Sequence, residues 1–211
     1  MPLPRFAAIV LASLLPCVSA ALELDDVARE GELRFLAQRP DPGAYWYESQ
    51  VQIGPDSLRT GLVDLITCHR ELDPNRRTVV TFNPQRVQHI EIASSQGVGR
   101  AWVDAHRVEL ADVQRGGQVC IALRSRVLEP VEEGRRWRLH AGPLMRRYLD
   151  GYLPMQARLN FHWPAGLLRV AGTQPTAQPG VLLDARPTGL AMDIVFAGRL
   201  SALIELEKAA P

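Results

Sequence analysis

Leu62-Val63-Asp64-Leu65-Ile66-Thr67-Cys68 and Val119-Cys120-Ile121-Ala122-Leu123-Arg124-Ser125-Arg126-Val127 are two strand-like runs, each carrying one cysteine. They lie near the ends of the stretch 61–128, and the rest of the chain reads as packing on that stretch or extending it. In the second run Val119, Ile121, Leu123 and Val127 point one way and Cys120, Ala122, Arg124 and Arg126 the other, the period of a half-buried strand. In the first run both faces are largely apolar apart from Asp64 and Thr67, which suits a strand covered on both sides. Between them, 78–82 is β-branched and aromatic, 87–94 is a further strand, and Gln96-Gly97-Val98-Gly99 predicts a turn. Residues 101–113 then return with a bend near Ala105-His106, and Gly116-Gly117 is the strongest hairpin signal of the chain. The stretch is therefore predicted to be a meander of antiparallel strands that a Cys68–Cys120 disulfide closes.

Residues 1–20 hold one charged side chain, Arg5, then an apolar run over 6–15, then Val18-Ser19-Ala20. That is the pattern of a cleaved secretory signal peptide, with cleavage after Ala20. The run is too short for a helix crossing ~30 Å of hydrocarbon, and no later segment is long and apolar enough to do so. The mature chain, 21–211, is expected to be a single β-rich domain in the periplasm or outside a bacterial cell. Cys17 leaves with the leader, and an exported protein meets an oxidising compartment, so Cys68 and Cys120 are expected to pair.

The 211 residues include 24 basic and 23 acidic side chains, and losing Arg5 makes the two signs equal. A balanced charge argues against a nucleic-acid partner, which calls for a clustered basic excess. Lys208 is the sole lysine, a skew that fits a GC-rich genome before it fits a function.

Outward from the central stretch, Tyr47, Val51 and Ile53 alternate with Glu48, Gln50 and Gln52, while Trp46 falls on the polar side. Gly54-Pro55-Asp56-Ser57 reads as a turn. Gly142-Pro143 offers a helix start, 144–150 has apolar residues at helical spacing and Gly151 supplies a stop, so one short helix is predicted near 143–150. Met155, Ala157, Leu159, Phe161 and Trp163 alternate cleanly with Gln156, Arg158, Asn160 and His162. The closing strands are 181–185, 192–196 and 200–206, the last two read as a hairpin through Ala197-Gly198-Arg199. Many short strands with frequent turn signals predict an all-β fold, an antiparallel β-sandwich or partly open barrel.

Chemistry is harder to read. There is no Gly-x-Ser-x-Gly elbow, phosphate-cradling glycine loop or His-Glu-x-x-His. The five histidines stand at no metal-ligand spacing, and neither a metal nor a cofactor is expected. Asp104 and His106, two apart on one expected strand, share a face that an acid/base pair could use, and Asp150 with His162 form a second candidate pair. Asp64 and Asp193 lie within otherwise apolar runs and would have to be satisfied or neutral if they faced the core.

The most distinctive feature is the arginine density of Arg124, Arg126, Arg135, Arg136, Arg138, Arg146, Arg147 and Arg158, interleaved with Trp137, Tyr148 and Tyr152. Guanidinium forks beside aromatic rings suit an anionic or sugar-like ligand, and Arg146, Arg147, Tyr148, Tyr152 and Trp137 are the candidate ligand-binding residues. Three readings compete. The first is an exported binding or interaction module for an anionic or carbohydrate envelope component or a protein partner. The second is a carboxylate/histidine hydrolase, and the third a passive subunit of an envelope assembly. A shielded ionisable pair in a cleft favours the hydrolase, an arginine–aromatic face favours binding, and an apolar patch or unpaired edge favours the subunit.

Overall fold

Alternation of apolar and polar side chains governs nearly the whole chain, and the backbone answers it with strands. The computed structural model describes residues 31–39, 41, 43–132, 134–148 and 151–209. The leader over 1–20, its cleavage site and Asp150 lie outside the described residues. In chain order the elements are β1 (Arg34–Phe35), β2 (Trp46–Gln52), α1 (Pro55–Thr60), β3 (Leu62–Leu72), β4 (Asn75–Thr81), β5 (Val87–Asp104), β6 (Arg107–Arg126) and β7 (Leu128–Val131). There follow β8 (Arg136–Leu144), β9 (Arg146–Tyr148), β10 (Gly151–Leu153), β11 (Met155–His162), β12 (Leu168–Gln174), β13 (Val181–Arg186), β14 (Gly189–Ala197) and β15 (Leu200–Lys208).

Two sheets share one core. The larger has nine strands in the order β1-β14-β11-β2-β3-β6-β4, with β13 also on β14 and β5 also on β6; the smaller runs β12-β15-β8-β7. Every pairing in them is antiparallel except that of β2 with β11, where Trp46 stands opposite Gln156. Phe161, Phe196 and Ile121 from the large sheet are buried in the same cluster as Leu139, Ile204 and Leu206 from the small one. The fold is thus the expected all-β sandwich. A two-stranded ribbon, β9 with β10, is a separate third sheet. No helix among the described residues is long and apolar enough to cross a membrane.

Cys68 of β3 stands directly opposite Cys120 of β6 and is bonded to it, with the Cα atoms 4.1 Å apart. Side chains alternate faces along a strand. The bond therefore lies on the outer face of the large sheet, behind Thr67 and His69, whose side chains point inward to the core side.

Five local expectations are corrected. Neither Gln96-Gly97-Val98-Gly99 nor Gly116-Gly117 is a turn: β5 and β6 run through both, and the chain reverses at Ala105-His106 instead. The register jumps from Gln96 opposite Gln118 to Val98 opposite Val113, so residues 114–117 bulge against Gly97. A Cβ on Gly97 would stand 3.1 Å from the Gly117 Cα, so glycine here permits close approach of two backbones at a bend.

The helix near 143–150 is also absent from the described residues: 143–144 belong to β8 and 146–148 to β9. Gly142 is held at φ +97°, where a Cβ would meet the Leu200 carbonyl oxygen at 2.5 Å, and pairing of Ala141 with Ala202 and Leu144 with Leu200 overrides the local helix signal. The short helix is α1, where a turn was expected. It has the same signature of proline at the start and glycine past the end, with Gly61 as its left-handed cap. Finally, β14 and β15 are not a hairpin, since they belong to different sheets.

Candidate functional site

The inner face of the large sheet is graded along its strands. Register places Tyr47 opposite His69, then Ser49 opposite Thr67, then Val51 opposite Leu65. The second row continues to Leu159 on β11, and the third to Phe161 on β11 and Leu123 on β6. These side chains form the floor of a cleft of about 1040 Å³ that β4, β8 and β9 also line, with Ser125 beyond the third row. The floor is polar at the His69 end, apolar across the Val51–Leu65 row, and polar again at Ser125.

The polar end is buried. Ser49, Thr67 and His69 are 4%, 1% and 8% exposed. The Tyr45 hydroxyl lies 2.8 Å from His69 Nδ1, and the Tyr47 ring meets the imidazole edge-on at 5.3 Å. Burial pulls His69 down to about 4, so the ring is neutral at neutral pH. Whichever nitrogen carries the proton, Nε2 has no hydrogen-bond partner, and neither has Thr67 Oγ1 or Arg146 Nε. Buried polar atoms without partners are uncommon in folded proteins and ask for an explanation.

Arg146 closes the polar end. Its guanidinium pairs with Asp73, donates to the Pro154 carbonyl at 3.3 Å and lies 5.6 Å from the centres of both the Tyr45 and Tyr148 rings. The Tyr148 hydroxyl donates to the same Asp73 oxygen. Burial by itself raises the Asp73 carboxyl, but the Tyr148 and Arg146 hydrogen bonds outweigh it and hold the group below its ordinary range. Burial first, and then the bond to Asp73, pushes the Tyr148 phenol up.

Of the residues singled out in the sequence, Arg146, Arg147, Tyr148 and Tyr152 come together on the β9–β10 ribbon, where Arg147 lies over the Tyr152 ring at 5.8 Å. Trp137 stands apart: it is 4% exposed in the core, and its indole donates to the Leu58 carbonyl at 3.1 Å. Trp137→Phe is accordingly expected to cost about 1 kcal/mol of stability in urea unfolding, the worth of one buried hydrogen bond, and to leave ligand binding unchanged.

Asp104 and His106 do not share a strand face, because the β5–β6 turn intervenes; Asp104 pairs with Arg107 at 2.7 Å in an exposed bridge. His162 is exposed at the end of β11. Asp64 is exposed 3.9 Å from Arg124, and Asp193 takes hydrogen bonds from Gln156 and Arg158 at 2.6 and 3.0 Å. On the outer face, Trp46 sits between Arg70 and Arg158, each of which has a carboxylate partner, Glu48 and Asp193. Among the described residues no three His, Cys, Asp or Glu side chains gather where they could hold a metal ion.

Sequence reasoning did not place Tyr45, Ser49, Thr67, His69 and Asp73 together in one site. The signal for three of them was present: Ser49 follows the inward period of Tyr47 and Val51, and Thr67 and His69 that of Val63 and Leu65. Polar side chains at inward positions mark a floor that the opposite sheet does not seal.

No protein-family model matches the chain, and no curated protein matches it. Among solved structures it is similar to the M1 zinc metallopeptidase of Deinococcus radiodurans in a mutant form bound to a Tyr-Ser-Ala substrate. That likeness has 12% identity and a TM-score of 0.41 over 85% of this chain and 44% of that one. A second structure of the mutant M1 zinc metallopeptidase from Deinococcus radiodurans gives 12% and 0.40 over 83% and 42%, and a mutant two-domain M1 zinc metallopeptidase bound to L-tryptophan gives 13% and 0.38 over 86% and 45%. The chain spans less than half the length of these structures. Overlaps this loose fix no chemistry, and the zinc and the peptide belong to those proteins.

Proposed function

We propose that the protein is an exported bacterial binding module, periplasmic or secreted, that takes a small ligand in the cleft between its sheets. One observation carries the reading: a cleft of about 1040 Å³, at the upper end of the range for small-molecule sites, with Thr67 Oγ1 and His69 Nε2 unpartnered on its floor. The ionisable groups there are already engaged, Asp73 with Arg146 and Tyr148, and neutral His69 with Tyr45. That arrangement holds a ligand better than it transfers a proton, so binding is favoured over the hydrolase reading.

The test is binding of 1-anilinonaphthalene-8-sulfonate to the mature chain, compared with Thr67→Phe, which fills the floor. Wild type is expected to bind the dye with a blue-shifted emission, and Thr67→Phe to bind about tenfold more weakly while unfolding in urea as cooperatively as wild type. Equal affinity in the two proteins would remove the cleft from consideration.

A further inference from the structure

The strands around the cleft line it in two different ways. From β2 and β3 every second residue faces it, Tyr47, Ser49 and Val51 and then Leu65, Thr67 and His69, so these strands present a face and form the floor. From β4 onward every residue from 77 to 83 lines it, and so does every residue from 139 to 144 of β8. A strand that shows consecutive residues shows its edge, and with it the backbone. The β4 edge runs the length of the floor: the strand starts just after Asp73 at the His69 end and leads to Asn83, whose carbonyl accepts from Val87, the residue opposite Ser125.

That edge is unpaired. Among the described residues β4 pairs with β6 and with no other strand. The Phe82 N–H donates toward β6, to the His106 carbonyl at 2.9 Å, and backbone groups alternate sides residue by residue along an antiparallel ladder. Val79 and Thr81 therefore turn N–H and C=O away from β6, and the Arg77 N–H, of the same set, is taken by the Asn75 side chain at 3.2 Å. Free groups of this kind are a template for one more strand. The β8 wall is a poor one, because Pro143 has no N–H and the register with β15 breaks beside it.

We infer that the cleft takes a short, extended, uncharged peptide segment, added as a strand to the free edge of β4 with its alternate side chains dropping to the floor. This rests on the binding reading above and names its ligand class. The floor rows of His69, Thr67 and Leu65 lie two residues apart on β3, the same repeat as the side chains of an added strand. Charge excludes acidic and basic side chains there, since the floor holds hydroxyls, neutral His69 and apolar groups, and Asp73 and Arg146 are spent on each other. A small polar side chain meets Thr67 and His69, and apolar ones cover Leu65 and Phe161.

The acetylated, amidated pentapeptide Ser-Thr-Leu-Thr-Leu and its reverse sequence, competing with the bound dye, test this. One of the two is expected to displace it. N-methylating both threonines of that peptide, or both leucines, removes N–H groups from opposite edges of the strand, so one modification should weaken binding about tenfold or more and the other leave it unchanged. Val79→Pro deletes an outward N–H and keeps the bonds to β6, and should weaken the peptide about tenfold while dye affinity holds; Val79→Ala should change neither. Aspartate or lysine at the central leucine should weaken the peptide about tenfold or more. No displacement by either peptide, or N-methylation that acts equally at both sets or at neither, would overturn strand addition, and undiminished affinity for the charged peptides would overturn the neutral ligand. Failure of the binding reading itself is separate, since it shows as dye affinity that ignores Thr67→Phe.

Discussion

Serine at both Cys68 and Cys120 is expected to lower the unfolding free energy by about 4 kcal/mol. The bond joins residues 52 apart in sequence, and the chain-entropy estimate for a loop of that size falls between ~3 kcal/mol for a short loop and ~4.7 for a hundred residues. Little of the loss should come from the native state. The two side chains face each other on the outer side of the sheet, where a pair of hydroxyls can bond to one another or to water. Urea unfolding of the double variant checks this, with the midpoint falling and the slope rising as the unfolded chain expands. A loss below about 1 kcal/mol would mean that the β3–β6 ladder already confines the unfolded chain, so that the bond repeats an existing restraint. Replacing both cysteines matters, because a single substitution leaves a reactive thiol.

Acid is expected to cost the protein nearly as much. His69 takes up its proton near pH 4 in the folded state and near 6.5 in the unfolded chain. Between those values the unfolded state binds more protons, so stability is fully present above pH 6.5 and is lost as the pH falls toward 4. The loss is about 1.4 kcal/mol per pH unit, or about 3 kcal/mol across the window. His69→Gln keeps a polar side chain that does not titrate, so its stability should change far less over the same range. Urea midpoints at pH 7, 5.5 and 4.5 for both proteins settle the point. Parallel curves would show that His69 is hydrated in the folded protein and that the polar end of the cleft is wet. Asp73 acts in a lower window, because its depressed carboxyl loses its proton more readily folded than unfolded and its contribution disappears only in stronger acid.

What the sequence disclosed follows from how far its signals reach. Alternation is local, so β2, β11 and the inward sets of β3 and β6 were legible, and so was the bond between two strands that each carried one cysteine. Gly-Pro followed by a later glycine is read as a helix near 143–150 and Gly54-Pro55-Asp56-Ser57 as a turn, whereas the helix forms over Pro55–Thr60 and 143–144 and 146–148 are strand. Nothing within either segment separates them: α1 ends where the Gly61 carbonyl accepts from Val127 and Leu128, while 141–144 are drawn into β15. Gly97 and Gly116-Gly117 are read as turns because glycine permits a reversal and a close backbone approach equally well; only the partner strand decides which. The candidate site divides in the same way. The cluster of Arg146, Arg147 and Tyr148 stood out by composition, whereas Asp73, which orients it, lies far away in sequence. His69 follows Cys68 in sequence and lies on the opposite face of β3 from it.

The parallel seam between β2 and β11 carries a consequence for the birth of the protein. Trp46 waits for Gln156, so an early strand that ends up in the middle of the large sheet keeps one bare edge until most of the chain has been made. Contacts so distant in sequence slow folding, and a bare edge invites pairing with another chain in the meantime. The yield of folded protein should therefore depend on what shields β2 during that interval more than on the stability of the finished sandwich.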